Sequence, residues 1–131
     1  MNRALPILAA AVAILASQSA LAPPVTAAAP QLKVFFAADF KDTPYQQKTY
    51  KKVASSWRRP ADSPRPGAKA VVIAVIQKDG SLPEPVLHYK SSSDAWDAAA
   101  IDAVRKAAPF EALPRGYPHP SVEVHFHFEY N

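Results

Sequence analysis

AKAVVIAVIQK (68–78) decides the fold, because its apolar residues occupy both alternating sets. Val71, Ile73 and Val75 point one way along an extended chain, and Val72, Ala74 and Ile76 point the other. β-Branched residues bounded by Gly67 and Asp79-Gly80 mark it as a strand, and apolarity on both faces makes it a central one. Asp79-Gly80 is a hairpin-turn signal. The return strand, Val86 to Lys90, follows Leu82-Pro83-Glu84-Pro85. Two prolines in that approach remove ladder donors, so this is an outer strand with a blunted edge. A two-residue turn would aim both proline nitrogens at the central strand. The turn must therefore be longer, or the strand must start only after Pro85.

On either side of this hairpin the pattern turns helical. Thr43-Pro44 reads as a capping hydroxyl with Pro at the first helical position. Tyr50, Val53, Ala54 and Trp57 then recur at i, i+3, i+4 and i+7. Arg58-Arg59-Pro60 ends that helix, and ADSPRPG (61–67) is loop. A second helix starts at Ser93 or Asp94 and runs to about Ala107. Its buried face (Trp96, Ala100, Ala103, Val104, Ala107) is mostly alanine, which lets the backbone lie close to a sheet. Pro109 stops it, and Phe110 reads as a core plug. The last segment, SVEVHFHFEY (121–130), alternates: Val122, Val124, Phe126, Phe128 and Tyr130 inward, Glu123, His125, His127 and Glu129 outward.

The expected fold is α+β, helix–strand–strand–helix–strand. Three antiparallel strands lie in the order second–first–third, with both helices on one face. The third strand is then an open edge without prolines.

The first 22 residues carry Arg3, an uncharged Ala/Leu/Ile/Val run and small residues, the layout of a secretory signal. Cleavage after Ala22 fits, and bonds as late as Ala29 would serve. The apolar run is short against the ~20 residues of a membrane span. Residues 23–42 read as a Pro/Ala-rich linker and 43–131 as one small domain. The chain has no cysteine, which excludes disulfides, thiolate metal sites and a lipidated N-terminal cysteine. Between Lys33 and Lys69 nine Lys/Arg face three Asp/Glu, whereas from Ala70 onward five face eight. No helix presents a solid basic face, so the charge reads as solvated surface, with no nucleic-acid site.

These residues together resemble the C-terminal domains of TonB and TolA. The resemblance rests on Tyr50-x-x-Val53-x-x-x-Trp57-Arg58-x-Pro60, the apolar strand with Asp79-Gly80, and Ser91-Ser92-Ser93. It continues with Trp96-Asp97-x-Ala99-Ala100-x-x-Ala103-Val104, Pro109-Phe110-x-x-Leu113-Pro114 and the final aromatic strand. The pieces stand in family order over about residues 45–130. The resemblance implies a periplasmic, non-enzymatic module that binds envelope partners by strand addition. Such a partner would be an outer-membrane receptor segment of the TonB-box kind or a Tol-system-like protein, with a link to outer-membrane transport. Where the family has Ser-Ser-Gly before the second helix, this chain has only serine.

Combined with the expected open edge, the partner-binding residues are Val122, Glu123, Val124, His125, Phe126, His127, Phe128 and Glu129, and the same edge would allow a homodimer. An uncleaved N-terminal segment would instead make a short anchored transducer at the inner membrane. Some 20 residues separate that segment from the first helix. They reach about 70 Å fully stretched and typically about 25 Å as a flexible chain, which is short for a force-bearing arm. A reading of another class is metal binding at His125 and His127, an i, i+2 pair with Glu123 or Glu129 as an oxygen ligand. Catalysis has little support. Asp94, Asp97 and Asp102 suit a helix N-terminus, and no nucleophile elbow, phosphate loop or metalloprotease motif is present. No cofactor is expected.

Overall fold

The computed structural model describes residues 27–131. The elements run β1 (Pro30–Phe36), α1 (Thr43–Ser56), β2 (Ala68–Gln77), β3 (Val86–Tyr89), α2 (Asp94–Ala107) and β4 (Ser121–Tyr130). They build one antiparallel sheet in the order β1-β4-β2-β3. The α+β class and the inner order β3-β2-β4 match the reading of the sequence. The strand count does not: there are four strands, and the additional one, β1, lies inside the segment read as a linker. The expected signal segment, 1–22, lies outside the described residues.

β2 is central because neither of its faces can be left to water. Ala70, Val72, Ala74 and Ile76 are buried under the helices, and Val71 is buried on the opposite face. The hairpin takes the second of the two expected forms, since β3 begins at Val86, after Pro85. Gln77 N donates to Ser81 O at 2.9 Å and Gly80 N to Gln77 O at 2.8 Å. Gly80 has φ +89°, and a Cβ there would sit 2.1 Å from the Phe110 carbonyl oxygen. Phe110 N in turn donates to Gly80 O at 2.8 Å. The turn and the Pro-Phe stop after α2 are thus locked together, and Phe110 is buried as a core plug.

α2 is capped by Ser93, whose hydroxyl accepts from Trp96 N at 3.2 Å. Ala100, Ala103 and Val104 are fully buried, and among them Trp96 supplies the bulk. Its indole N–H reaches Phe128 O at 2.9 Å, which ties helix to sheet. α1 is capped by Asp42, not by Thr43: the Asp42 carboxylate accepts from Tyr45 N at 2.9 Å. Tyr45 is buried, and its hydroxyl donates to Glu111 O at 2.7 Å. Burial, and secondarily the Glu111 charge, pushes its phenol up to about 12. Trp57 closes α1 and packs edge-on against Trp96 and Phe128, with ring centres at 5.3 and 5.0 Å.

The left-handed residue before α2 is Ser92, with φ 76°. It precedes Ser93, the position at which the resemblance places glycine.

Candidate functional site: a free sheet edge

The sequence places the binding edge on the last strand. The structure corrects this, because β4 is paired on both sides. Pro30 to Phe36 run antiparallel along Tyr130 to Val124, and Ala68 to Gln77 along Tyr130 to Ser121. The physical reason is the pattern Leu32-x-Val34-x-Phe36. It puts three apolar side chains in line with Phe128, Phe126 and Val124 on the helix-covered face. Leu32 is buried and Val34 and Phe36 are partly buried, so β1 extends the core over the edge that β4 would otherwise expose.

The predicted site residues therefore separate into two sets. Val122, Val124, Phe126 and Phe128 are buried core. Glu123, His125, His127 and Glu129 line the helix-free face. His125 Nε2 lies 2.8 Å from Glu123 and His127 Nδ1 3.7 Å from Glu129. Glu129 is buried and is held by Lys33 of β1 at 3.3 Å. Burial, then the Lys69 charge, lowers the His127 pKa below its ordinary value. Each imidazole thus already has a carboxylate neighbour. Among the described residues no group of three His, Cys, Asp or Glu could hold a metal.

The sheet has two outer edges, and they are built differently. At β3 the strand is four residues long, Pro83 and Pro85 precede it, and the β2–β3 register shifts between Val71 and Val72. Those are devices that discourage further pairing. β1 is seven residues long with no register shift against β4. Its hydrogen-bond phase follows from its first rung: Ala29 and Asn131 exchange both main-chain bonds, at 2.8 and 3.1 Å. In an antiparallel ladder bonded and non-bonded pairs alternate. Gln31, Lys33 and Phe35 therefore spend their main-chain groups on β4. Leu32, Val34 and Phe36 direct theirs outward, where no other described residue takes them up. Beside this row, Phe35 is 50% exposed on the helix-free face.

The TonB C-terminal family matches residues 42–128. The chain belongs to that family. In this TonB-type domain β1 lies ahead of the matched segment. The TonB-type fold is also that of a solution structure of TolAIII bound to a peptide derived from the N-terminus of TolB. The likeness has a TM-score of 0.53 at 19% identity and covers 68% of this chain and 76% of that one. A comparison with curated proteins gives no match. No helix among the described residues is long and apolar enough to cross a membrane.

The missed strand had a signal. Gln31-Leu32-Lys33-Val34 alternates, but Phe35-Phe36 breaks the period after four residues, and the flanking prolines and alanines read as linker.

Proposed function

We propose that this TonB-type domain is a non-enzymatic binding module of the cell envelope, exported to the periplasm, that takes up an extended segment of a partner protein as a fifth strand on β1. The observation that carries the reading is the asymmetry of the edges. β3 is blunted by prolines and a register shift, whereas β1 offers the outward main-chain groups of Leu32, Val34 and Phe36. Main-chain bonds supply affinity in such pairing, and alternate side chains supply selectivity. The peptide-bound TolAIII structure supports an envelope protein as the partner class, of the Tol kind or of the receptor-segment kind.

The test is photo-crosslinking from two positions in the native host. A crosslinker at Phe35, beside the β1 edge, is expected to capture a discrete envelope protein, and one at Glu84, on the β3 side, is not. Val34→Pro removes one outward donor without touching the β1–β4 ladder and is expected to abolish the Phe35 product. Equal capture from both positions, or capture insensitive to Val34→Pro, would refute the β1 site.

A second reading, the short anchored transducer, shares the same edge and differs at the N-terminus. Intact mass of the protein from separated periplasmic and membrane fractions distinguishes them. A soluble species beginning near residues 23–30 supports the free module, and a full-length membrane-held species supports the transducer.

A further inference from the structure

Between β1 and α1 the surface is cleft. A cavity of about 440 Å³ is lined by Pro30 to Lys33 on one side and by Tyr50, Ala54, Trp57 and Arg59 on the other. Three properties of this cleft point to an occupant. Its apolar wall is exposed: Tyr50, which the sequence sets on the apolar stripe of α1, is 42% accessible, while the buried side of the helix is Tyr45, Thr49 and Val53. Trp57, which lines the cleft, carries the one buried side-chain polar atom without a hydrogen-bond partner among the described residues, its indole Nε1. A buried donor left unmatched is costly, whereas the Trp96 indole has its acceptor in Phe128 O. Finally, Arg59 holds its guanidinium carbon 5.7 Å from the Trp57 ring centre and makes no ion pair among the described residues. No carboxylate of the described residues lines the cleft.

The cleft is continuous with the free edge. The main-chain groups of Leu32 point outward, and a residue paired opposite Leu32 puts its side chain on the same, helix-covered side of the sheet. That side chain would enter the space bounded by Tyr50, Ala54 and Trp57. Resting on the strand-addition reading above, we infer that the β1–α1 cleft selects the segment that binds. The partner strand runs antiparallel to β1, carries an apolar side chain opposite Leu32, and ends in an acidic group that reaches Arg59. Antiparallel pairing is the stronger arrangement per residue, and it places the partner's C-terminal end at Pro30 to Lys33, where Arg59 stands. An oxygen acceptor at that end also gives the Trp57 indole N–H the partner it lacks.

The experiment uses the full chain, labelled with ¹⁵N, and synthetic eight-residue peptides alternating valine and threonine. One ends in a C-terminal aspartate, a second has the aspartate at its N-terminus and is amidated at its C-terminus, and a third ends in an amidated asparagine. The C-terminal aspartate peptide is expected to shift the Leu32, Val34 and Phe36 amides and to move the Trp57 indole resonance downfield, leaving that of Trp96 in place. Tyr50→Ala is expected to weaken this peptide by on the order of tenfold, the scale of losing one buried aromatic anchor. Arg59→Gln should erase its advantage over the asparagine peptide.

Binding that shifts the β1 amides but leaves Trp57 unmoved, and that tolerates Tyr50→Ala, would overturn the cleft while leaving strand addition standing. Preference for the N-terminal aspartate would overturn the antiparallel arrangement. A Trp57 indole already hydrogen-bonded in the peptide-free chain, with no peptide uptake, would mean that residues 1–26 fill the cleft, and the inference would fall. Absence of any β1 shift with every peptide would count against strand addition itself.

Discussion

Glycine usually weakens a fold, and at residue 92 it is expected to strengthen this one. Ser92 holds φ at 76°, in the left-handed region where Cβ crowds the following carbonyl at a cost of about 1–2 kcal/mol for an L-residue. Ser92→Gly relieves that cost and adds back about 0.5–1 kcal/mol of backbone entropy lost on folding. Little else changes, because the Ser92 side chain is exposed and makes no hydrogen bond among the described residues. The expected net gain is about 0.5–1 kcal/mol. In a domain this small, that raises Tm by about 2–6 °C. Ala98→Gly provides the control of opposite sign. It sits six residues on, exposed within α2, where glycine for alanine should cost about 1 kcal/mol. Thermal unfolding followed by circular dichroism reads both. If Ala98→Gly lowers Tm as expected while Ser92→Gly leaves it unchanged or lower, the strain argument at Ser92 is refuted.

Gly80→Ala should be severe, costing about 3 kcal/mol or more, because it combines a positive φ with a Cβ driven into the Phe110 carbonyl; a chemical-denaturation midpoint close to that of the wild type would show that this turn can open. Tyr45 should ionise only at about pH 12 in a spectrophotometric titration. Because its folded pKa lies above the unfolded value, stability should be intact below about pH 10 and fall as pH rises toward 12; a Tyr45→Phe variant with the same alkaline decline would argue against it. His127 carries the opposite sign for an imidazole, since its folded pKa is lowered. Its contribution should be present above about pH 6.5 and lost as the pH falls below that. His127→Gln should therefore flatten the acid limb of the Tm profile, and an unchanged limb would assign it to other groups, such as the Asp39–His119 pair at 2.8 Å.

Much of this architecture was legible from local chemistry. β2 declared itself by being apolar on both faces, α2 by its alanine face and Ser93 cap, and the blunted β3 edge by Pro83 and Pro85. What stayed hidden depended on pairing between segments distant in sequence. Gln31–Phe36 has only three inward residues, and their meaning comes from Phe128, Phe126 and Val124 some ninety positions away. Read as linker, 23–42 leaves β4 without a neighbour, and the edge expected on β4 follows from that vacancy. Similarly, residue type alone favours Thr43 as the α1 cap, whereas the backbone at Asp42 is the extended one that aims a carboxylate at Tyr45 N. The Trp57 indole could not have been singled out from sequence, because an unpartnered donor is defined by what surrounds it.

β1 is also where the chain enters the domain. Residues upstream of Ala29 join the end of β1 that lies beside Asn131. Tension applied through that upstream chain runs along the strand axis, so the rungs from Ala29 to Phe36 bear it together in shear instead of parting one after another. A partner strand seated on β1 would stand one ladder away from β4. Load between that partner and the upstream chain would then pass through a single strand, and the helices and the core beneath would stay outside the line of pull.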